Sequence, residues 1–394
     1  IMSGNTTLQA GVSGSLGNAI SFGNGSATVA AATGTTLRLA SSSLSFEAGA
    51  GSPLNFGTTS ATGTIELAPV TVSVGAQVNP ININGGTLRL ASTGAYTLLN
   101  GANGVFLNGA TLGADVAGTL TKVLTIGTTG GTIDVAAAST ILQGGVSLSG
   151  NLTKTGAGEL RLTGTGTGGG MVQVNAGTLA VQGGSALPDT AAITVASGAT
   201  FQLLSAKTLG SLAGAGQVAL GGNELTLAQS TNTVFTGVIS GSGGLTKSGS
   251  GSLTLRGANT FTGLTTVLGT FGQIFVDTTG SLAGAVAVRN QGSFINSGTV
   301  GGLVTVDSGG SFRSNATGTL AGGLVNSGLS FVSGQVLGSV TNAGSITVDT
   351  PLTLNVTGAL VQNGGFLSLN GGSATIGSLA GTGTVSMIGA ATLT

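Results

Sequence analysis

The chain has 394 residues, 76 of them glycine, with 5% charged side chains, zero net charge, and neither cysteine nor histidine. Without a run of Lys or Arg it is neither a duplex nucleic-acid binder nor a polybasic membrane binder. Missing Cys and His exclude disulfides, thiolate and imidazole metal sites, and Ser-His-Asp triads.

Five prolines and the lack of a three-residue glycine period exclude collagen. Hydrophobic residues make up 40% of the chain, enough to bury a long core. An ordinary soluble surface is charged, so the exterior here must be mostly Thr, Ser, Asn and Gly. No apolar run is long enough to cross a membrane as a helix. Ile1-Met2-Ser3-Gly4 opens no charged n-region with an apolar core, so the chain reads as a mature or trimmed fragment.

Short alternating segments follow one another along the chain: Leu37-Arg38-Leu39, Ile81-Asn82-Ile83, Leu88-Arg89-Leu90, Ile133-Asp134-Val135, Leu160-Arg161-Leu162, Leu225-Thr226-Leu227, Leu253-Thr254-Leu255 and Leu352-Thr353-Leu354. Period two places the aliphatic side chains on one face of a strand and the middle residue on the other. Glycine and Asn-Gly punctuation separates these strands, and no amphipathic helix of useful length is expected.

Phe294, Phe312 and Phe331 recur at intervals that set a rung of about 18–20 residues, the size of one coil of a right-handed parallel β-helix. They are predicted to stack as an internal aromatic ladder. If residues 1–394 form a single continuous β-solenoid, it has about 20 rungs and is roughly 100 Å long at ~4.8 Å per rung. Such a rod lowers the odds of an enzyme, because similar rungs leave few places to concentrate chemistry.

One segment occurs twice, near 150–179 and 243–271. Leu152, Lys154, Gly156, Gly158, Leu160 and Leu162 of the first copy match Leu245, Lys247, Gly249, Gly251, Leu253 and Leu255 of the second. The second copy continues through Asn259, Phe261 and Gly263 to Thr266-Val267-Leu268-Gly269-Thr270-Phe271. The first loses the Asn-x-Phe part and resumes at Val174-Asn175-Ala176-Gly177-Thr178-Leu179. Both lysines are expected at corners, covering the rung above.

This doubled pattern resembles the passenger-associated repeat of bacterial autotransporters. The resemblance implies an all-β parallel β-helix exposed on, or released from, an outer-membrane surface. It also implies a C-terminal translocator barrel, for which a chain with 13 Phe, one Tyr and no Trp lacks the aromatic girdles. Passenger functions are diverse, so fold is implied more firmly than role.

Chemistry-bearing residues are sparse. Asp115, Asp134, Asp189, Asp277, Asp307 and Asp349 form no Asp-Asp or Asp-x-Asp group, and stacking is the one way to bring Asp277 and Asp307 together. Glu159 and Arg161 share a face as a surface pair. Arg38, Arg89 and Arg161 point outward. Gly164 to Gly170 lacks the Gly-Lys-Ser/Thr of a phosphate loop and reads as a flexible corner. No regular Thr-x-Thr array of the kind that would suggest an ice-binding face is present.

No catalytic, cofactor or metal residue is expected. The expected role is a non-enzymatic extracellular stalk or adhesive passenger with cell-surface or glycan contacts. The alternatives are a subunit that self-associates, head to tail or laterally, into a filament or matrix, and a polysaccharide-cleaving β-helix.

Overall fold

Short period-two strands cannot bury their apolar face alone, so they stack on neighbours. The computed structural model describes residues 5–23, 25–40, 43–46, 52–68, 71–74, 80–137 and 139–394, and folds them as a parallel β-solenoid. Two compact units divide the chain, Ile1–Gln202 and Leu203–Thr394.

In the first unit the strands Thr87–Leu90, Ala110–Ala114, Gly131–Val135, Leu152–Thr155 and Val172–Val174 pair in parallel, each one coil after the last. Leu88, Leu112, Ile133, Lys154 and Val174 form one inward column. The adjacent outward column holds Thr64, Thr87, Thr111, Thr132, Thr153, Gln173 and Thr194. Stacking thus builds a threonine column that no linear Thr-x-Thr pattern announces.

The second unit is arranged likewise. Leu209, Leu227, Lys247, Val267, Val288, Val306, Asn326, Asn342 and Gln362 follow one another in a single inward column. Coil length is less regular than the phenylalanine spacing predicts. Hydrogen-bonded neighbours on successive coils are 16 residues apart at Asn326 and Asn342 but 24 apart at Asn84 and Asn108.

That variation breaks the predicted aromatic ladder. Phe294 and Phe312 stack inside with ring centroids 5.7 Å apart. Phe331 falls one residue later in its rung, so Ser330 takes the inward place beside Phe312 and Phe331 pairs with outward Arg313. A slip of one residue moves a side chain to the other face.

A helix, Thr93–Gly101, also departs from expectation. Ala95, Tyr96, Leu98 and Leu99 are its buried residues, a short i, i+3, i+4 face hidden between strand signals. The Tyr96 hydroxyl donates to the Val116 carbonyl at 2.7 Å. Gly118 leaves room for the Tyr96 ring, which a Cβ there would overlap.

Glycine permits the corners to stack. Gly243, Gly263, Gly284, Gly302, Gly322, Gly338 and Gly358 form a file in the second unit, in which a Cβ on each glycine after the first would run into the backbone of the rung before. Gly164, Gly168 and Gly170, in the segment from Gly164 to Gly170, follow the same rule. That segment is not a loose corner: Gly166–Gly168 is a strand paired with Val146, Ser147 and Leu148. A Cβ on Gly164 would overlap the Gly144 carbonyl. Gly322→Ala should therefore lower unfolding stability by about 1–3 kcal/mol, the usual cost of overpacking. Gly169→Ala, with nothing within 4 Å of the added methyl, should stay within about 0.5 kcal/mol of wild type. Urea midpoints of the two variants measure the contrast.

Candidate functional site: the capped corners

A corner carbonyl buried without a hydrogen-bond partner costs about 1–3 kcal/mol. Many corners close on themselves. Gly292 N–H donates to the Arg289 carbonyl at 2.8 Å, Gly310 to Asp307 at 2.9 Å, and Ser139 to Ala136 at 2.9 Å.

The repeat corners are built differently. In Thr155-Gly156-Ala157-Gly158 the Gly158 N–H donates to Val135 of the preceding rung, and Gly251 N–H donates likewise to Gln229. The corner carbonyls then need another donor, which the lysine supplies. Lys154 Nζ donates to the carbonyls of Thr155 at 2.7 Å, Gly156 at 2.8 Å and Ala176 at 3.2 Å. Lys247 Nζ donates to Ser248 at 2.6 Å and Gly249 at 3.0 Å.

Both lysines are therefore inside, not draped over a corner. Each is 0% exposed, on the same strand face as Leu152 or Leu245. Burial pushes both ammonium groups down to about 8; around Lys154 the Asp134 carboxylate opposes the shift.

The other repeat residues serve the same closure. Leu152, Leu160, Leu162, Leu245, Leu253 and Leu255 are buried. Gly156 and Gly249 hold φ of 72° and 76°, which a Cβ disfavours. Cβ atoms on Gly158 and Gly251 would collide with carbonyls of the rung before. Asn259 is buried; its amide donates to Gly257 at 2.9 Å and Ser281 at 3.0 Å and accepts from the Ile239 N–H at 3.0 Å. Phe261 fills the core, and Gly263 belongs to the glycine file.

One motif assignment shifts. Phe271 occupies the place of the motif's final leucine in the linear match, yet it is 79% exposed with φ of 67°. Ile274 is the residue that stacks on Leu253, as Leu179 stacks on Leu160. Extra residues in the second copy's corner push Phe271 outward.

Sequence reasoning missed a third closure, by buried amides. Asn342 donates to the Gln362 side chain at 2.8 Å and to the Phe366 carbonyl at 3.0 Å, and accepts from Asn326 at 2.8 Å. Gln143 donates to the Lys122 and Gly145 carbonyls, both at 2.7 Å, and Gln229 to Ser252 at 2.6 Å. Their spacing is irregular, and only their period-two position among aliphatics would have marked them as inward.

The outward charges neutralise one another. Arg38, Glu66 and Arg89 share one column of the first unit, followed by Gly113 and Asp134. Arg38 meets Glu66 at 3.1 Å; Arg89 pairs with Asp115 and reaches Asp134 at 3.4 Å across Gly113. Arg161, in another column, meets Glu159 at 2.7 Å. Asp277 and Asp307 face Arg256 and Arg289 at 2.7 and 3.1 Å, not each other. A hydrogen bond from the Thr278 N–H, aided by Arg256, holds Asp277 below the usual carboxylate range. Among the described residues no group of three acidic side chains is placed to hold a metal.

This arrangement caps carbonyls and holds backbone in place. Lys154→Met and Lys247→Met should each destabilise by about 1–3 kcal/mol, the first more, since it leaves three carbonyls without a donor. Equal or higher denaturation midpoints would sink the capping role. The lowered lysine values also set a pH dependence. Below pH 8 both states carry the proton and the burial cost is in full force. From pH 8 toward the ordinary 10.5 the unfolded chain holds more protons, so stability rises. Midpoints at pH 7.5 and 9.5 should differ in wild type and converge in the double methionine variant.

A family model described as passenger-associated-transport-repeat matches residues 152–181 and 245–269, the segments that contain the two lysine-capped corners. The chain is 36% identical over 112 residues to an adhesin BmaC autotransporter of Brucella suis biovar 1 (strain 1330), covering 28% of this chain and 3% of that protein. The chain thus spans a small fraction of the curated relative it matches. No solved structure matches. The two segments closed by buried lysines are thus the ones that match the passenger-associated transport repeat, and the chain is similar over part of its length to an autotransporter adhesin.

Proposed function

We propose that this chain is a non-enzymatic passenger segment, exported to the bacterial surface or beyond, that serves as an adhesive stalk. The observation that carries this reading is the division of labour between inside and outside. Lys154 and Lys247 are consumed in corner closure. The acids at 66, 115, 134, 159, 277 and 307 face arginines. A cleavage site needs free carboxylates poised for acid–base work, so this pairing weighs against a polysaccharide-cleaving β-helix.

What is left for contact is the wall. The threonine column of the first unit and a groove of about 450 Å³ lined by Thr28, Asn55, Thr58, Asn84, Asn108 and Thr129 offer many weak hydrogen-bonding positions. Similarity to an adhesin supports the same role.

Fusing the chain to a surface-display barrel on a non-adherent bacterium tests the reading. Adherence to host-cell monolayers or abiotic surfaces should rise at least about tenfold over the barrel alone, the effect of roughly 1.4 kcal/mol of added affinity. Adherence no different from the barrel alone would overturn it.

A further inference from the structure

Outward positions of this solenoid are mostly hydroxylic, and one lane of the second unit departs from that. In the sheet containing Gln273–Val276, Ser293–Asn296, Ser311–Ser314 and Leu329–Val332, the outward column reads Phe275, Ile295, Arg313, Phe331 and then Thr347. The neighbouring outward column reads Gln273, Ser293, Ser311, Leu329 and Ser345. One lane is apolar with a cation in it, and the parallel lane is rich in hydroxyls.

Arg313 differs from the other arginines. Arg38, Arg89, Arg161, Arg256 and Arg289 each face a carboxylate. Arg313 is exposed, has no acidic partner among the described residues, and lies with its guanidinium carbon 5.3 Å from the centroid of the Phe331 ring. A ring at this distance is within cation–π range and helps to orient the guanidinium while leaving its charge uncompensated. Guanidinium edges bind carboxylates in bidentate fashion.

We propose that this lane binds a linear polysaccharide carrying carboxylates, with a uronate group on Arg313, the apolar C–H faces of sugar rings on Phe275, Ile295 and Phe331, and ring hydroxyls toward Gln273, Ser293 and Ser311. The charge calls for an anion, and the two lanes side by side match the two chemistries of a sugar. A run of side chains repeated at ~4.8 Å suits an extended polymer. Seven outward side chains fall well short of the roughly 20–30 residues a side that a stable protein interface uses. The proposal deepens the adhesive reading and rests on it.

The test is titration calorimetry of the full chain with polygalacturonate oligomers and with neutral dextran of equal length, at low and high salt. Binding is expected for polygalacturonate alone, to weaken with salt, and to fall at least about tenfold in Arg313→Gln, the loss of a hydrogen bond to a charged group. Phe331→Leu should weaken it too. Arg256→Gln, which removes a cation already neutralised by Asp277, should not. Equal binding of dextran, no binding of either polymer, or equal losses in Arg256→Gln and Arg313→Gln would overturn the site. Surface display separates the two readings: adherent wild-type cells without polygalacturonate binding discard the lane and keep the adhesive role. Non-adherent wild-type cells discard the adhesive role.

Discussion

Backbones stacked one strand spacing apart leave little room at a corner for a side chain pointing toward the next rung, and leave corner carbonyls that need a donor. Much of the sequence answers those two demands. The glycine file from Gly243 to Gly358 meets the first. The second is met in three interchangeable ways: a backbone bond within the corner, as at Arg289 and Gly292; a buried ammonium, as at Lys154 and Lys247; or a buried amide, as at Asn326 and Asn342. The repeat motif is one of these solutions written out in sequence, with the lysine as donor, the first glycine as the turn and the second as the clearance for the rung below.

Burying a lone ammonium among aliphatics is costly, and the depressed lysine values record that cost. It persists because one Nζ reaches two or three carbonyls at once, which no aliphatic side chain does. Amides reach the same carbonyls without carrying charge, and in the column below Lys247 the chain changes from one to the other: three valines, then Asn326, Asn342 and Gln362.

Fold class was legible because period two and the doubled segment are both linear signals. Lysine placement was legible too, since Leu-Thr-Lys puts Lys154 on the face of Leu152, but the habit of assigning charge to the surface overrode the period. Phe331 and Phe271 were misplaced because rung length varies, and one added or missing residue exchanges inside for outside. The threonine column and the alternating Arg38, Glu66, Arg89 ladder were not legible at all. They exist only after coils of unequal length are set in register. The helix Thr93–Gly101 was not legible because its apolar face, Ala95 to Leu99, spans little more than one turn and is embedded in strand-like sequence.

Local closure has a genetic consequence. A coil that satisfies its own corner and offers the next coil a flat ladder of backbone groups is a unit of insertion and deletion. Duplicating or losing one whole coil leaves its neighbours' contacts of the same kind, whereas a change of one residue within a strand inverts its faces. Lengthening of such chains is thereby channelled into steps of entire coils, and outer lanes can be rewritten one coil at a time without renegotiating the interior.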